Sequence, residues 1–108
     1  MASVSKSLVD ATKRMLMDTP LPVVLETNRT LTRADLRPDL ATVAALGLPT
    51  TIVQGSADAS APIEATGRVT ASMLPDARLV EIDGGGHGLY IGHGREYTDL
   101  LVGAATAR

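Results

Sequence analysis

The sequence predicts an α/β fold built on a parallel sheet, and three observations carry that prediction. Two short runs rich in β-branched residues, PTTIV at 49–53 and RLVEI at 78–82, each lead into a turn rich in Gly, Ser or Asp. A helical pattern lies between them, and further helical patterns flank the pair. Helix, strand, helix, strand, helix at this spacing describes a right-handed βαβ unit with flanking helices. Two parallel strands need cover on both faces and partners on both edges, so the expected architecture is an incomplete sheet, part of a larger assembly.

Taken in order, Val4, Leu8, Ala11, Met15 and Leu16 recur at three- and four-residue intervals, which predicts a helix ending before Thr19-Pro20. Beyond Pro20 and Pro22 a second helix is expected through Val23, Val24 and Leu25 toward Leu31, and the polar stretch TRADLRPD breaks its pattern. Residues 39–46 read as a short helix closed by Gly47. The strand at 49–53 is apolar enough on both faces to lie inside a sheet, and GSADASAP follows as a turn. Pro62 then stands at the first position of a helix carrying Ile63, Thr66, Thr70, Met73 and Leu74, ended by Pro75-Asp76. After the second strand come the glycines of DGGGHG, and a last helix runs from about Gly94 through Tyr97, Leu100 and Leu101 to Ala104. No internal repeat interrupts this order.

Composition narrows the function. A chain of 108 residues makes at most one ordinary domain. Its core must come from Leu, Val, Ile, Ala and Met, because Phe and Trp are absent and the two tyrosines, Tyr90 and Tyr97, lie close together near the end. Stacking on nucleic-acid bases is therefore disfavoured. A net charge of -2 from well-mixed acids and bases leaves no basic footprint for nucleic acid or anionic lipid, so a small molecule or a protein is the expected partner. The absence of cysteine excludes disulfides, thiolate metal sites and thiol nucleophiles. Lys6, Asp10, Lys13 and Arg14 interrupt what would be the apolar core of a signal peptide, and no run approaches the ~18 apolar residues of a membrane span. A soluble, cytoplasmic chain is the expectation.

In open parallel sheets the working groups sit just beyond the carboxyl ends of the strands. Gly55-Ser56-Ala57-Asp58 occupies that place after the first strand, and Asp83-Gly84-Gly85-Gly86-His87-Gly88 after the second. Adjacent parallel strands bring Asp58 and His87 to the same sheet edge. A carboxylate beside an imidazole fixes the tautomer and steadies the imidazolium, while the second ring nitrogen takes a proton from a nucleophile. The glycines are expected to supply left-handed turns that swing the imidazole back over the edge.

With those residues in view, the stretch from Asp35 to about Ala105 resembles the C-terminal part of an α/β-hydrolase, in particular the esterases and cofactor-free haloperoxidases (perhydrolases) of that superfamily. DLRPDLATVAALGLPTTIVQGSADASAP is similar to their penultimate strand with the triad acid. ARLVEIDGGGHGLYIGHGREYTDLLVGA is similar to their last strand, histidine loop and last helix. The resemblance implies that Asp58 is the triad acid and His87 the triad histidine, that no cofactor or metal takes part, and that the substrate is a small ester or acyl compound. It divides the chain into residues 1–34, resembling the end of a cap region, and residues 35–108, the C-terminal part of the hydrolase core. Leu89, Tyr90 and the cap helices are the parts left to line a pocket. The family's nucleophile is a serine on a G-x-S-x-G elbow earlier in the chain, with an oxyanion hole beside it. No such motif occurs here, and Ser3, Ser5, Ser7, Ser56, Ser60 and Ser72 all lie in other settings.

Plainer readings stand beside these. Asp58 in a Gly/Ser-rich turn can bond its own backbone, and His87 can be a loop histidine without a role. His93 reads as a cap or surface residue at the start of the last helix. A metal site on Asp58, His87 and His93 has no strong ligand spacing. The glycine run misses G-x-G-x-x-G, since Leu89 or Ile91 stands where the third glycine belongs. Two functions follow. The chain is a C-terminal piece of a serine hydrolase that needs a missing N-terminal half, and is close to inert alone. Alternatively, it is a non-catalytic truncated domain that binds a copy of itself or another chain through its open sheet.

Overall fold

A computed structural model of the chain describes residues 5–106, so Val4 of the first helical pattern and Ser3 lie outside the described residues. The described residues divide into two compact units, residues 5–36 and residues 37–106.

The first unit consists of two helices. Helix α1, Lys6–Asp18, starts where Ser5 caps it by accepting the Leu8 N–H on its hydroxyl, and stops at Thr19, whose extended backbone is the one favoured before proline. Helix α2, Leu21–Arg33, has Pro22 in its first turn, where a missing N–H costs nothing. Both expected helices form and both are amphipathic, yet neither buries a side chain: Met15, Leu16, Met17, Leu21 and Leu31 are each more than three-fifths exposed.

The second unit is the α/β part. Helix α3, Arg37–Ala45, is closed by Gly47 at φ +64°, a left-handed conformation that glycine adopts without a Cβ penalty. Strand β1, Thr50–Gly55, runs parallel to strand β2, Ala77–Ile82, in a register that pairs Thr50 with Ala77 and Gly55 with Ile82. Between them lies helix α4, Gly67–Met73, which packs against both strands and against α3. A short helix α5, Leu89–Gly92, and helix α6, Gly94–Thr106, complete the unit, with α6 packed on β1. Ile63, Leu74, Ile82 and Leu89 are the buried apolar side chains among the described residues. Arg68 on α4 donates through Nε and Nη2 to Glu81 Oε1 on β2, at 2.9 and 2.8 Å, tying helix to sheet at the surface.

The sheet has only these two strands among the described residues, and Ile52 and Val53 on β1 stay half-buried where a strand inside a full parallel sheet would be covered. The expected incomplete sheet is therefore what forms. Two local expectations need correction. The helix expected from Pro62 begins at Gly67, and the segment before it is a turn. Thr66 takes φ -125° and ψ -83°, outside the helical region, while its hydroxyl bonds Gln54 and the Pro62 carbonyl. In the second case, the loop before the last helix contains α5. Its bonds from Ile91 and Gly92 to the Gly88 carbonyl span too few residues to leave a periodic signature.

Candidate active site

The parallel register places the ends of β1 and β2 level, so the two following loops leave the sheet side by side. They are joined by their backbones. Ser56 N–H donates to the Ile82 carbonyl at 3.0 Å, Ala57 N–H to the Gly85 carbonyl at 2.9 Å, and Gly84 N–H to the Ser56 hydroxyl at 2.9 Å. Gly55 and Gly85 make this approach possible. A Cβ on Gly55 would fall on the Gly85 carbonyl group and stand 2.8 Å from the Gly86 oxygen, and one on Gly85 would stand 3.1 Å from the Gly55 Cα. Only Gly84 of the loop's glycines adopts a positive φ, +69°. The expectation of repeated left-handed turns is corrected accordingly: one glycine turns the chain, and the buried pair lets two backbones touch.

Held this way, Asp58 and His87 meet. Asp58 Oδ2 lies 2.9 Å from His87 Nδ1. The other carboxylate oxygen, Oδ1, accepts the N–H groups of Ser60 at 3.0 Å and Ala61 at 2.9 Å. One side chain thus combines the turn bonding and the juxtaposition with His87, with one oxygen closing its own turn and the other facing the imidazole. The Asp58 side chain is 6% exposed and that of His87 68%. His87 Nε2 has no hydrogen-bond partner among the described residues.

The Ala61 N–H is the main cause holding the Asp58 carboxyl below its ordinary value of 3.8, followed by the His87 hydrogen bond, while burial works the other way. Such a carboxyl binds its proton less readily in the folded chain than in the unfolded one. Its contribution to stability is complete above the ordinary carboxylate range and is lost as pH falls through the folded value. Urea midpoints of wild type and Asp58→Asn are therefore expected to converge between about pH 6 and about pH 3. A difference that stays constant over that range would show that ionisation of Asp58 contributes nothing.

A concavity of about 250 Å³ opens beside the pair, lined by Gln54, Asp58, Thr66, His87 and Leu89 among others. Leu89 therefore takes the lining position the sequence suggested, whereas Tyr90 is two-thirds exposed and stands outside this lining. His93 does not join the pair. It sits between α5 and α6 as the C-cap of α5, its side chain only 15% exposed, with Nδ1 3.4 Å from Glu96 Oε1, so of the two plain readings it is the cap and not the surface residue. No group of three or more His, Asp or Glu among the described residues is placed to hold a metal ion. No described helix is long and apolar enough to cross a membrane.

Gln54 is the side chain that sequence reasoning passed over. It points from β1 toward the start of α4, where its Nε2 donates to the Ala61 carbonyl at 2.5 Å and to the Thr66 hydroxyl at 2.8 Å. Its one sequence signal is a carboxamide directly after the Ile52-Val53 end of the first strand run.

Known proteins are similar to this chain in sequence and in fold. The chain is 43% identical over 42 residues to the non-heme chloroperoxidase CPO-A1 of Kitasatospora aureofaciens, a match covering 39% of this chain and 15% of that protein. Among solved structures it is similar to a bromoperoxidase from Bacillus anthracis, with a TM-score of 0.63 and 32% identity over 68% of this chain and 26% of the other. It is also similar to MGS-MChE2, an alpha/beta hydrolase enzyme from the metagenome of sediments of the lagoon of Mar Chica, Morocco, with a TM-score of 0.69 and 29% identity over 94% of this chain and 45% of the other. The chain thus spans less than half the length of each of these relatives. No family model matches it. The two parallel strands with their flanking helices, together with these likenesses, relate the chain to the α/β-hydrolase superfamily.

Proposed function

We propose that this chain is the acid-and-base portion of a serine hydrolase that cleaves carboxylic esters or, with peroxide as acceptor, acts as a perhydrolase. The observation that carries the reading is the buried Asp58 carboxylate 2.9 Å from Nδ1 of an exposed imidazole whose Nε2 is unbonded. With Nδ1–H given to Asp58, Nε2 keeps its lone pair for a nucleophile's proton. The haloperoxidase and hydrolase relatives support the same assignment.

The nucleophile in this reading is a serine on a segment outside these residues, on a strand-to-helix elbow that also brings the oxyanion donors. The chain's own described serines are otherwise engaged or remote from a strand end: Ser56 Oγ accepts the Gly84 N–H, and Ser72 Oγ donates to the Val69 carbonyl. Nε2 takes the serine proton as the serine oxygen attacks the ester carbonyl. Collapse of the tetrahedral intermediate expels the alcohol, which leaves with that proton and gives an acyl-enzyme. Water, or hydrogen peroxide, then yields a proton to Nε2 and attacks the acyl carbon. The serine leaves with this proton, and the acid or peracid is released. Helices α1 and α2, within residues 1–34, take the place of the end of a cap in this reading, and no cofactor enters the cycle.

The test is reconstitution. The chain is produced together with an N-terminal segment of a bromoperoxidase relative that carries its serine elbow, and hydrolysis of p-nitrophenyl acetate is followed. Turnover is expected only when both pieces are present. Stable association of the two without any hydrolysis would count against the reading. A second reading, a non-catalytic module that self-associates, is favoured by the exposed apolar side chains of α1 and α2, which bury nothing. Sedimentation distinguishes it: the module would form a stable oligomer, indifferent to His87→Ala.

A further inference from the structure

The carboxylate beside His87 is itself held by the N–H groups of Ser60 and Ala61, and Ala61 is gripped from two sides. Its N–H points to Asp58 Oδ1 at 2.9 Å, and its carbonyl accepts from Gln54 Nε2. Pro62 follows, so Ala61 is already confined to extended conformations and its carbonyl belongs to a tertiary amide with no donor of its own. Among the described residues, the side-chain groups that bond this carbonyl are the Gln54 carboxamide and the Thr66 hydroxyl. Thr66 Oγ1 accepts from Gln54 Nε2 at 2.8 Å and lies 2.9 Å from the Pro62 carbonyl, the nearest acceptor for its single proton.

A second, independent feature shows that space is kept for this carboxamide. Gly67, buried at the start of α4, has no side chain, and a Cβ there would fall on Gln54 Oε1. Glycine costs up to about 1 kcal/mol in a helix relative to alanine. At this position it leaves room for the amide head of Gln54.

We propose that Gln54 is a positioning residue for the Asp58–His87 pair, acting through Ala61: the carboxamide seated against Gly67 pins the Ala61 carbonyl, which keeps the Ala61 N–H on Oδ1 and leaves Oδ2 for the imidazole. The inference rests on the hydrolase reading only in taking the pair as catalytic. Gln54 itself is not a reacting group. Its removal loosens Asp58, and a loosened Asp58 no longer enforces the Nδ1–H form of His87. Consistent with this route, the Ala61 N–H is the main cause of the lowered Asp58 carboxyl.

The chain has just two histidines, so imidazole nitrogen-15 shifts resolve them, with His93 as internal control. In the neutral ring the shifts give the ratio of Nδ1–H to Nε2–H forms, and the carboxyl carbon-13 shift follows Asp58. Two variants are compared with wild type. Gln54→Met removes the donor at similar volume, and Gly67→Ala removes no hydrogen-bonding group but displaces the carboxamide. Both are expected to lower the Nδ1–H to Nε2–H ratio of His87 by about fivefold, the worth of one ordinary hydrogen bond. Both are also expected to raise the Asp58 midpoint and to leave His93 unmoved. If either folded variant keeps the wild-type ratio and midpoint, the proposal is overturned. Should Gln54→Met not fold, Gly67→Ala, which gains helix propensity, decides between the same two results. Because the readout is the pair and not turnover, failure here leaves the esterase reading standing, and a reconstituted enzyme without activity leaves this one standing.

Discussion

His87→Ala is expected to lower kcat for ester hydrolysis in the reconstituted enzyme by about 10⁴- to 10⁶-fold, with little change in KM, because an imidazole that moves the proton at every step contributes to the transition state and not to ground-state binding. The structure gives the residue no second duty that would confuse the result. Its side chain is 68% exposed, and Asp58 is its hydrogen-bond partner among the described residues, so removing the ring leaves no cavity and the Asp58 turn keeps its two backbone donors. Asp58→Asn should cost roughly 10⁴-fold, since an amide keeps the shape but supports the other tautomer. Activity that falls less than about tenfold in His87→Ala would mean that another base takes the proton. His93, the other imidazole, is then the residue to remove next.

The second large effect is on stability. Gly55→Ala is expected to destabilise the chain by about 4 kcal/mol or more, a size that ordinary substitutions do not reach. The added methyl has nowhere to go: the Gly85 carbonyl group occupies its position, and the atoms in the way are backbone, which does not rotate aside like a side chain. Relief requires the two loops to part, and with them the bonds from Ser56 and Ala57 to the other loop. Against a total stability of about 5–15 kcal/mol for a domain, that loss is a large fraction of what holds the fold. Gly86→Ala is the control, since its Cβ would meet nothing within 4 Å and its φ is not positive. It should lie within about 0.5 kcal/mol of wild type. Urea unfolding followed by circular dichroism measures both. Equal midpoints for the two variants would mean that the loop contact is not needed for stability.

These contrasts also show what could be read from the sequence. The strands were legible because PTTIV and RLVEI carry β-branched residues between clear breakers, and they form at 50–55 and 77–82. The meeting of Asp58 with His87 was legible from topology alone, since parallel neighbours must release their loops at one edge. Local signals failed where a tertiary contact outweighed them. Pro62 is a sound helix-start residue, yet Thr66 leaves the helical region and its hydroxyl meets Gln54, so α4 begins at Gly67. The glycines of residues 84–88 read alike in the sequence, but glycines here serve for different reasons. Gly84 turns the chain, Gly55 and Gly85 admit one backbone to another, and Gly67 makes room for an amide. Only the first is a property of a residue and its neighbours in sequence. Gln54 carries no motif because its importance lies in which carbonyl it reaches.

The loop clamp has one more consequence. Among the described residues, the hydrogen bonds that set the Asp58–His87 geometry are made by residues 54–87. In the proposed reading, a nucleophile arriving on another segment would meet an acid and a base already fixed relative to each other, and only the docking of the two pieces would be left to be found. Effective molarity in such a site depends on how firmly the two pieces dock, not on any ordering of the pair during the reaction. The dwell time of the complex, set against the time of one catalytic cycle, would then limit turnover in a divided enzyme of this kind.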